Sequence, residues 1–284
     1  MPSPDPRTHA FRSDLADVSL QHTVTASRYA EPVLRQCIRG VLPLFAAPDE
    51  NSRLVSQIRY GEFLDVFEMR EDGFAWVQNR ADRYVGYMPA ADAFNEQIAD
   101  LSNRVNVLKT FVYTKPDLKM PPADVLTLGS FVRVGAIENG FCRLASGGYV
   151  FAKHVVPAER ALAADYVFTA GRLLNVPYLW GGRTPQGIDC SGLVQLVLEM
   201  AEIECPRDSD QQREVFGQPL SMHWRDMDWR RGDLVFFDGH VGIMTNNKDM
   251  IHATAHVMQV TVEPLFDVVM RGAEITAMGR PAPD

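Results

Sequence analysis

The sequence has 284 residues, of which 46% are hydrophobic and 23% are charged. This composition is typical of a globular protein, and it excludes collagen, low-complexity disorder and a coiled-coil rod. A typical domain has about 100 to 150 residues, so the length predicts two or three domains. The formal net charge of −8 argues against a general nucleic-acid-binding protein, because an acidic surface repels phosphate.

The compartment is predicted from the N-terminus and the cysteines. Pro, Asp and Arg interrupt residues 1–20, where a secretory signal needs an apolar core. No stretch approaches the roughly 20 apolar residues of a membrane span. The cysteines are widely spaced without a CxxC pair, which favours reduced thiols over a disulfide framework. We therefore expect a cytoplasmic protein that binds no membrane. The cysteines are Cys37, Cys142, Cys190 and Cys205.

An internal repeat organises the first half of the chain. Residues 47–88 and 115–151 share Pro-Asp, Gly-x-Phe, Gly-Phe and Tyr-Val pairs, at offsets that fall from 68 to 65 residues. Small loop deletions would produce this drift, so we infer two copies of one unit. In each copy, short alternating stretches such as FLDVFEM and FVRVGAI predict the strands of a small antiparallel barrel.

Both copies resemble bacterial SH3 domains. The shared pattern is a Gly before a Val-rich strand, then an aromatic-x-Val strand, then a closing Gly-aromatic strand. The second copy departs from it, with Arg143 where the first copy has Trp76. The resemblance predicts one SH3-like β-barrel at residues 30–95 and a second at 96–157. We assign no function to the preceding extension, residues 1–29.

A candidate nucleophile follows a Gly-rich loop. Asp189 is a good N-cap, and CSGLVQLVLEMAEI after it predicts an amphipathic helix, which places Cys190 in the first turn. Unpaired backbone N–H groups and the helix dipole favour a thiolate there. The same N–H groups can donate to the oxyanion of a tetrahedral intermediate. Taken alone, a cysteine is more often a core residue than a nucleophile, and we read the other three cysteines as structural.

Two histidines follow on predicted neighbouring strands. LVFF predicts a buried strand, His240 begins the next strand, and an Asn-Asn hairpin leads to the strand that carries His252. A helix-start cysteine packed against a strand that bears a base is the layout of papain-like catalysis. We assign His240 as general base and then acid, and His252 as the residue that orients its ring. Zinc binding is an alternative, but a four-ligand spacing is missing, so we expect no metal and no cofactor.

The motifs YLWGG, DCSGL, RRGDLVFF, GHVGI and MIHAT, in this order, resemble the NlpC-type cysteine peptidases that cut bacterial cell-wall peptides. The resemblance covers about residues 158–265 and implies an α+β, papain-like catalytic domain at 158–284. It also implies a catalytic triad of Cys190, His240 and His252. One departure is Gly239, since a polar residue often precedes the base in related enzymes.

Two bacterial SH3 repeats before such a domain resemble the γ-D-glutamyl-L-diamino acid endopeptidases, which act on murein fragments with a free N-terminal L-alanine. The resemblance implies that the Arg207-Asp208-Ser209 motif binds the substrate's amino terminus, and a carboxylate suits an ammonium group. Alternatively, Asp208 caps the helix predicted at DSDQQREVF, although Ser209 is an equally good cap. The implied substrate-binding residues are Tyr178, Trp180, Ser191, Asp208 and Ser209, with Glu50 and Tyr84 from the first barrel.

We therefore expect two SH3-like barrels followed by a papain-like domain. The expected reaction is hydrolysis of the γ-D-glutamyl bond to a diamino acid (diaminopimelate or lysine) in small murein peptides, during peptidoglycan recycling. Nucleic acid and membranes are not expected partners, and the oligomeric state is left open. Two alternatives stay open: another thiol-dependent amidase or acyltransferase, and a cell-wall-binding protein without enzymatic activity.

Overall fold

The structure, a computed structural model, describes residues 3–95, 100–160 and 162–281. The chain divides into two compact units, Met1–Arg160 and Ala161–Asp284. The first unit consists of strands and short 3-10 helices, and the second combines a sheet with α-helices, so the α+β class agrees with the expectation.

The first unit begins with nine strands. They are β1 (Ala16–Asp17), β2 (Tyr29–Ala30), β3 (Val33–Cys37), β4 (Val41–Phe45), β5 (Leu54–Arg59), β6 (Phe63–Met69), β7 (Phe74–Asn79), β8 (Val85–Pro89) and β9 (Phe94–Asn95). β3 to β9 form one antiparallel sheet in the order β5-β4-β8-β7-β6-β3-β9. β1 pairs in parallel with β2, and a 3-10 helix, Val18–Leu20, lies between them in the chain.

Eight further strands complete the first unit. They are β10 (Asn103–Val105), β11 (Lys109–Tyr113), β12 (Pro122–Thr127), β13 (Phe131–Val132), β14 (Val134–Glu138), β15 (Phe141–Leu144), β16 (Tyr149–Phe151) and β17 (Val155–Pro157). They form a five-stranded sheet, β12-β11-β16-β15-β14, and a three-stranded sheet, β13-β10-β17. A 3-10 helix, Ala152–His154, joins β16 to β17.

The repeat is visible in the turns and cores of this unit. Gly61 and its equivalent Gly129 have φ of +86° and +84°, and Gly73 and Gly140 have +87° and +81°. Both copies therefore place glycine at the same left-handed positions, where a side chain would be strained. Each stretch packs its own apolar cluster, one around Leu64 and one around Leu126. That each closes as a barrel stays a prediction, and their predicted boundary borders residues 96–99, which lie outside the described residues.

The N-terminal extension covers one side of the first sheet. Ala10 and Leu15 form a buried cluster with Phe67 and Trp76. The guanidinium of Arg12 lies 4.3 Å from the centre of the Trp76 ring. Trp76 is therefore buried by the extension rather than within the cluster around Leu64, because its side chain points to the other face of the sheet.

The second unit contains four α-helices and eight strands among its described residues. The helices are α1 (Tyr166–Arg172), α2 (Cys190–Met200), α3 (Ser209–Phe216) and α4 (Leu265–Met270). The strands are β18 (Arg183–Thr184), β19 (Gly187–Ile188), β20 (Gly217–Gln218), β21 (Leu234–Phe237), β22 (His240–Met244), β23 (Asp249–Thr254), β24 (Gln259–Pro264) and β25 (Ile275–Gly279). Six of them form the antiparallel sheet β20-β25-β21-β22-β23-β24, and β18 pairs with β19.

Helix α2 differs from the amphipathic helix expected from the sequence. It ends at Met200, and every residue in it except Glu199 is buried. The reason is that α2 is enclosed, with β22 and β23 on one side and α1, α3 and β18 around the rest. A helix that is buried on all sides needs no polar face. Within the described ranges, no helix is both long and apolar enough to cross a membrane.

Candidate active site

The candidate nucleophile begins helix α2, as predicted. Asp189 is the N-cap, and its Oδ1 accepts a hydrogen bond of 2.7 Å from the backbone N–H of Gly192. Its Oδ2 accepts a second bond, 2.8 Å, from the N–H of Gly181 in the preceding loop. One carboxylate therefore joins the Gly-rich loop to the first helical turn and holds Cys190 between them. The thiol is shielded from water, since Cys190 is 7% exposed.

Arg207 braces the same turn. Its guanidinium donates to both carboxylate oxygens of Asp189, at 3.0 and 2.7 Å, and to the hydroxyl of Ser191 at 2.9 Å. The ion pair is buried, with Arg207 1% exposed. Gln212 of α3 adds a hydrogen bond of 2.9 Å to the carbonyl of Ser191. The residues on both sides of Cys190 are thus tied to the segment that carries the Arg-Asp-Ser motif.

The two predicted histidines meet on adjacent strands. His240 is the first residue of β22, and His252 lies within β23. His240 Nε2 lies 2.8 Å from His252 Nδ1. The backbone of Val241, next to His240, lies close enough to the Cys190 thiol to lower its pKa. The structure therefore joins the two histidines directly and packs the helix that begins with Cys190 against the strand that begins with His240.

A Gly at position 239 suits the turn before the base. Phe237 pairs with His240 across a two-residue turn, and Gly239 has a φ of +66°. This left-handed conformation favours glycine over a residue with a side chain. The departure noted in the sequence is therefore explained by the backbone of the hairpin.

A glutamate that the sequence analysis missed extends the histidine pair. Glu263 of β24 lies 2.7 Å from His252, between carboxylate Oε1 and ring Nε2. Arg271 donates to the same carboxylate at 2.8 and 2.5 Å. The alternation of Val260 and Val262 with polar neighbours predicts an inward valine face, which would leave Glu263 in solvent. The register of β23 against β24 puts Glu263 on the His252 face instead.

The electrostatics of the site favour a neutral thiol and a neutral imidazole. Burial, together with the charge of Asp189, raises the pKa of the Cys190 thiol to about 12. Burial, together with His252, lowers the pKa of His240 to about 4. Burial therefore opposes the thiolate that the helix start was expected to favour. Hydrogen bonds from backbone N–H groups do lower the pKa of the thiol, but removal from water outweighs them.

A cavity of about 590 Å³ opens beside the histidines. Charged side chains of Asp238, Arg271 and Glu274 line it, together with His256. Tyr178 also borders this cavity. The residues that border the cavity come from the histidine strands, the loops next to them and the stretch from Val268 to Glu274, together with Tyr178.

The predicted substrate residues of the second unit surround the nucleophile to different degrees. Burial raises the pKa of Tyr178 to about 12, and the proximity of Cys190 and Asp189 acts in the same direction. Trp180 is 60% exposed. Ser191 is buried and bonded to Arg207.

Asp208 and Ser209 stand at the start of helix α3, where both are half-buried. Asp208 occupies the N-cap position, but its side chain makes no capping hydrogen bond. Ser209 is the first residue inside the helix rather than its cap. Asp208 therefore takes the N-cap position that the alternative gave it, without a capping hydrogen bond from its side chain. Its position next to Arg207 keeps it close to the turn that carries Cys190.

Glu50 and Tyr84 belong to the first unit. Glu50 is exposed in a turn between β4 and β5. Tyr84 is 5% exposed and packs in the apolar cluster around Leu64. Their roles as substrate-binding residues stay predictions.

The remaining cysteines are free thiols. Cys37 and Cys142 are buried and Cys205 is half-buried. All four cysteines lie among the described residues, and none forms a disulfide. Across residues 3–95, 100–160 and 162–281, no three His, Cys, Asp or Glu side chains converge in a way that could hold a metal ion.

Comparison with known proteins identifies the domains. Residues 175–276 match the NlpC/P60 family, and residues 44–92 match the family described as the bacterial dipeptidyl-peptidase Sh3 domain. The two matches fall within the catalytic domain and the first barrel expected from the sequence. Cys190, His240, His252 and Glu263 all lie inside the NlpC/P60 match.

Individual relatives agree with these two family matches. The chain is 29% identical over 244 residues to dipeptidyl-peptidase 6 of Lysinibacillus sphaericus, covering 78% of this chain and 88% of the relative. It is 25% identical over 248 residues to a γ-D-glutamyl-L-lysine dipeptidyl-peptidase of Bacillus cereus, covering 75% and 71%. A solved NlpC/P60 family protein of Bacillus cereus shares the fold, with a TM-score of 0.72 at 19% identity over 88% of this chain and 100% of that chain. The chain is therefore a peptidase-type hydrolase that carries an NlpC/P60 domain and a bacterial SH3 domain.

Proposed function

We propose that this peptidase hydrolyses the bond between γ-D-glutamate and a diamino acid in murein peptides with a free N-terminal L-alanine. The observation that carries the proposal is the set of hydrogen bonds that holds the turn around Cys190. Arg207, which precedes Asp208, is bonded to the residues on both sides of the nucleophile. Asp208, a carboxylate suited to an ammonium group, directly follows in the chain the residue that fixes the turn of the proposed nucleophile.

The proposed reaction begins from the neutral pair. As the Cys190 sulfur attacks the γ-carbonyl, its proton passes to Nδ1 of His240. Backbone N–H groups at the start of α2, together with the Tyr178 hydroxyl, stabilise the oxyanion. His240 then protonates the leaving α-amine of the diamino acid. In the second half, His240 takes a proton from water, which attacks the acyl-enzyme and releases the γ-glutamyl carboxylate and the thiol.

Substrate recognition is proposed to lie on the α3 side of the nucleophile. Asp208 binds the ammonium of the N-terminal L-alanine through charge-assisted hydrogen bonds. Ser191 and Ser209 border this pocket, and the exposed ring of Trp180 forms one wall. The names of two relatives, a dipeptidyl-peptidase and a γ-D-glutamyl-L-lysine dipeptidyl-peptidase, support a substrate of this type.

The test uses two matched peptides, L-Ala-γ-D-Glu-diaminopimelate and its N-acetylated form. We expect rapid cleavage of the first, slow cleavage of the second, and no cleavage by the Cys190→Ala variant. Equal cleavage of both peptides would contradict recognition of the amine, and cleavage of neither would overturn the proposed function. Repeating the assay with lysine in place of diaminopimelate identifies the preferred diamino acid.

Asp208 is tested by comparison with a neighbouring carboxylate. Asp208→Asn removes the charge and should raise KM for the free-amine peptide at least about tenfold, since a charged hydrogen bond contributes about 1.5–3 kcal/mol. The matched control is Asp210→Asn, on an exposed residue of the same helix, which should change KM little. Equal effects of the two substitutions would mean that the rise in KM comes from a change in helix α3 rather than from loss of the amine site.

The proposed cellular role is the recycling of small murein peptides in the cytoplasm. A requirement for a free L-alanine amine suits released fragments better than cross-linked wall. Cell fractionation followed by assay of the free-amine peptide tests this role. Activity confined to the extracellular fraction would contradict it.

A further inference from the structure

The hydrogen bonds that start at His240 do not end at His252. His252 is 1% exposed, and its two ring nitrogens are both engaged: Nδ1 with His240 at 2.8 Å and Nε2 with Glu263 at 2.7 Å. Glu263 in turn accepts from the guanidinium of Arg271 through both carboxylate oxygens. The result is one connected row of four side chains contributed by β22, β23, β24 and the residue after α4.

The row has only one consistent arrangement of protons while both imidazoles are neutral. A carboxylate accepts hydrogen bonds but cannot donate, so Nε2 of His252 must carry the proton. Nδ1 of His252 is then an acceptor, and Nε2 of His240 must donate to it. Nδ1 of His240 is therefore unprotonated and able to receive the proton of the Cys190 thiol. The opposite arrangement of protons would leave His240 protonated on Nδ1, the nitrogen that serves as the base.

We propose that Glu263, held by Arg271, is a positioning residue that sets the tautomers of both histidines and so keeps Nδ1 of His240 available as the base. This inference rests on the proposed mechanism and adds a fourth member to the triad. The same carboxylate stabilises the imidazolium that forms at His240 when the sulfur attacks, because an opposite charge favours the protonated ring.

The charged groups around the histidines determine the direction of the pH effect. His240 is influenced by His252, Glu263 and Asp189. His252 is influenced by Glu263, Arg271 and His256. Glu263 raises the pKa of His240, whereas burial and His252 lower it. Loss of the Glu263 charge should therefore lower the pKa of His240 further and move the acidic limb of kcat/KM to lower pH.

Glu263→Leu, in the full chain, removes both the charge and the acceptor. We expect kcat to fall about 10- to 100-fold with KM nearly unchanged, which is the usual effect of losing the partner that orients a functional histidine. Glu263→Gln keeps one acceptor oxygen and should recover part of the rate, with the acidic limb still at lower pH. The control is Glu202→Gln, an exposed carboxylate after helix α2 that borders neither the cavity nor the row, which should leave kcat and the pH profile unchanged.

Arg271→Met provides a double-mutant cycle. Because Arg271 acts through Glu263, its loss alone should lower kcat by less than Glu263→Leu does. In the Glu263→Leu background it should lower kcat no further. Independent, additive losses would mean that the two residues do not work as one unit, and would overturn the positioning role of the pair.

A measurement without substrate separates this inference from the proposed reaction. Nitrogen-15 shifts of the histidine rings in the Cys190→Ala protein should show His252 protonated on Nε2 and His240 on Nε2. In Glu263→Leu these shifts should move towards a mixture of tautomers. Protonation of His252 on Nδ1 in the presence of Glu263 would overturn the inference, whichever peptide the enzyme cleaves and even if a Glu263 variant fails to fold.

Discussion

At the scale of single residues, burial favours the protonated thiol of the proposed nucleophile, Cys190. Cys190 starts a helix, where backbone N–H groups favour a thiolate, yet it is enclosed by α2, β22 and the loop before it. Burial removes the water that would solvate the anion, and the N-cap carboxylate of Asp189 lies close by. In the proposed reaction, activation then depends on proton transfer to His240 during attack rather than on a preformed ion pair.

This leads to a prediction on alkylation by iodoacetamide. Because the pKa of Cys190 is raised to about 12, only a small fraction is thiolate near neutral pH. That fraction should grow about tenfold for each pH unit. We expect the alkylation rate of Cys190 to rise continuously from neutral to alkaline pH. Mass spectrometry of the wild-type protein against Cys190→Ala isolates this site from Cys205, which is half-buried. A rate plateau below neutral pH would indicate a thiolate–imidazolium pair instead.

At the scale of elements, the first turn of α2 is fixed by a buried ion pair. Asp189 receives hydrogen bonds from Gly181, Gly192 and Arg207, so the loop, the helix and the Arg-Asp-Ser segment meet at one carboxylate. Removing one partner of a buried pair leaves an uncompensated charge, which is more costly than removing an exposed partner. The stability of this turn should therefore depend strongly on Arg207.

Arg207→Met should lower the free energy of unfolding by about 3–5 kcal/mol, since it leaves Asp189 buried without its ion-pair partner. The matched control is Arg230→Met, because Arg230 and Asp228 form an ion pair whose side chains are 64% and 79% exposed. The control should change stability by at most about 1 kcal/mol. Urea unfolding of the two variants, followed by circular dichroism, measures the difference. Similar losses would argue that the Asp189 pair is solvated.

The close approach of helix α2 to the preceding loop leads to a second prediction for this helix. A Cβ at Gly192 would lie 2.2 Å from the carbonyl oxygen of Gly182, which cannot move without shifting the loop. Gly192→Ala should therefore destabilise the protein and slow peptide cleavage. A Cβ at Gly171 in α1 meets nothing within 4 Å, so Gly171→Ala should be neutral or stabilise by up to about 1 kcal/mol. Thermal unfolding and kcat of both variants test this, and equal effects would contradict the role of the loop contact.

The elements around the triad were predictable because their signals are local. Asp189 predicts the start of α2. The strands that carry the histidines are predicted by the turn before His240 and by the Asn-Asn hairpin. Glu263 was not predictable in this way, since its contact with His252 depends on the register of β24. The burial of α2 was missed for a related reason, because the partners that cover its second face come from distant parts of the chain.

At the scale of the whole molecule, the repeat and the change of pattern after Pro157 predicted the main division of the chain. The two compact units meet in sequence at Arg160 and Ala161, close to the expected boundary. The subdivision of the first unit was suggested by paired glycines, whose positive φ values recur in both copies. The packing of Ala10 and Leu15 with Trp76 could not be predicted, because the N-terminal extension has no periodicity of its own.

The last prediction concerns binding to murein sacculi and follows from the net charge. The formal charge of −8 should repel murein sacculi, which carry carboxylates, and the repulsion should grow as salt is lowered. We therefore expect little co-sedimentation with sacculi at about 0.15 M salt, and less at about 0.01 M, where the Debye length increases from about 8 to about 30 Å. A cationic protein should show the opposite trend in the same assay, and the unbound fraction should still cleave the free-amine peptide. A bound fraction that rises at low salt would reveal a local basic patch and would favour intact wall over small peptides as the partner.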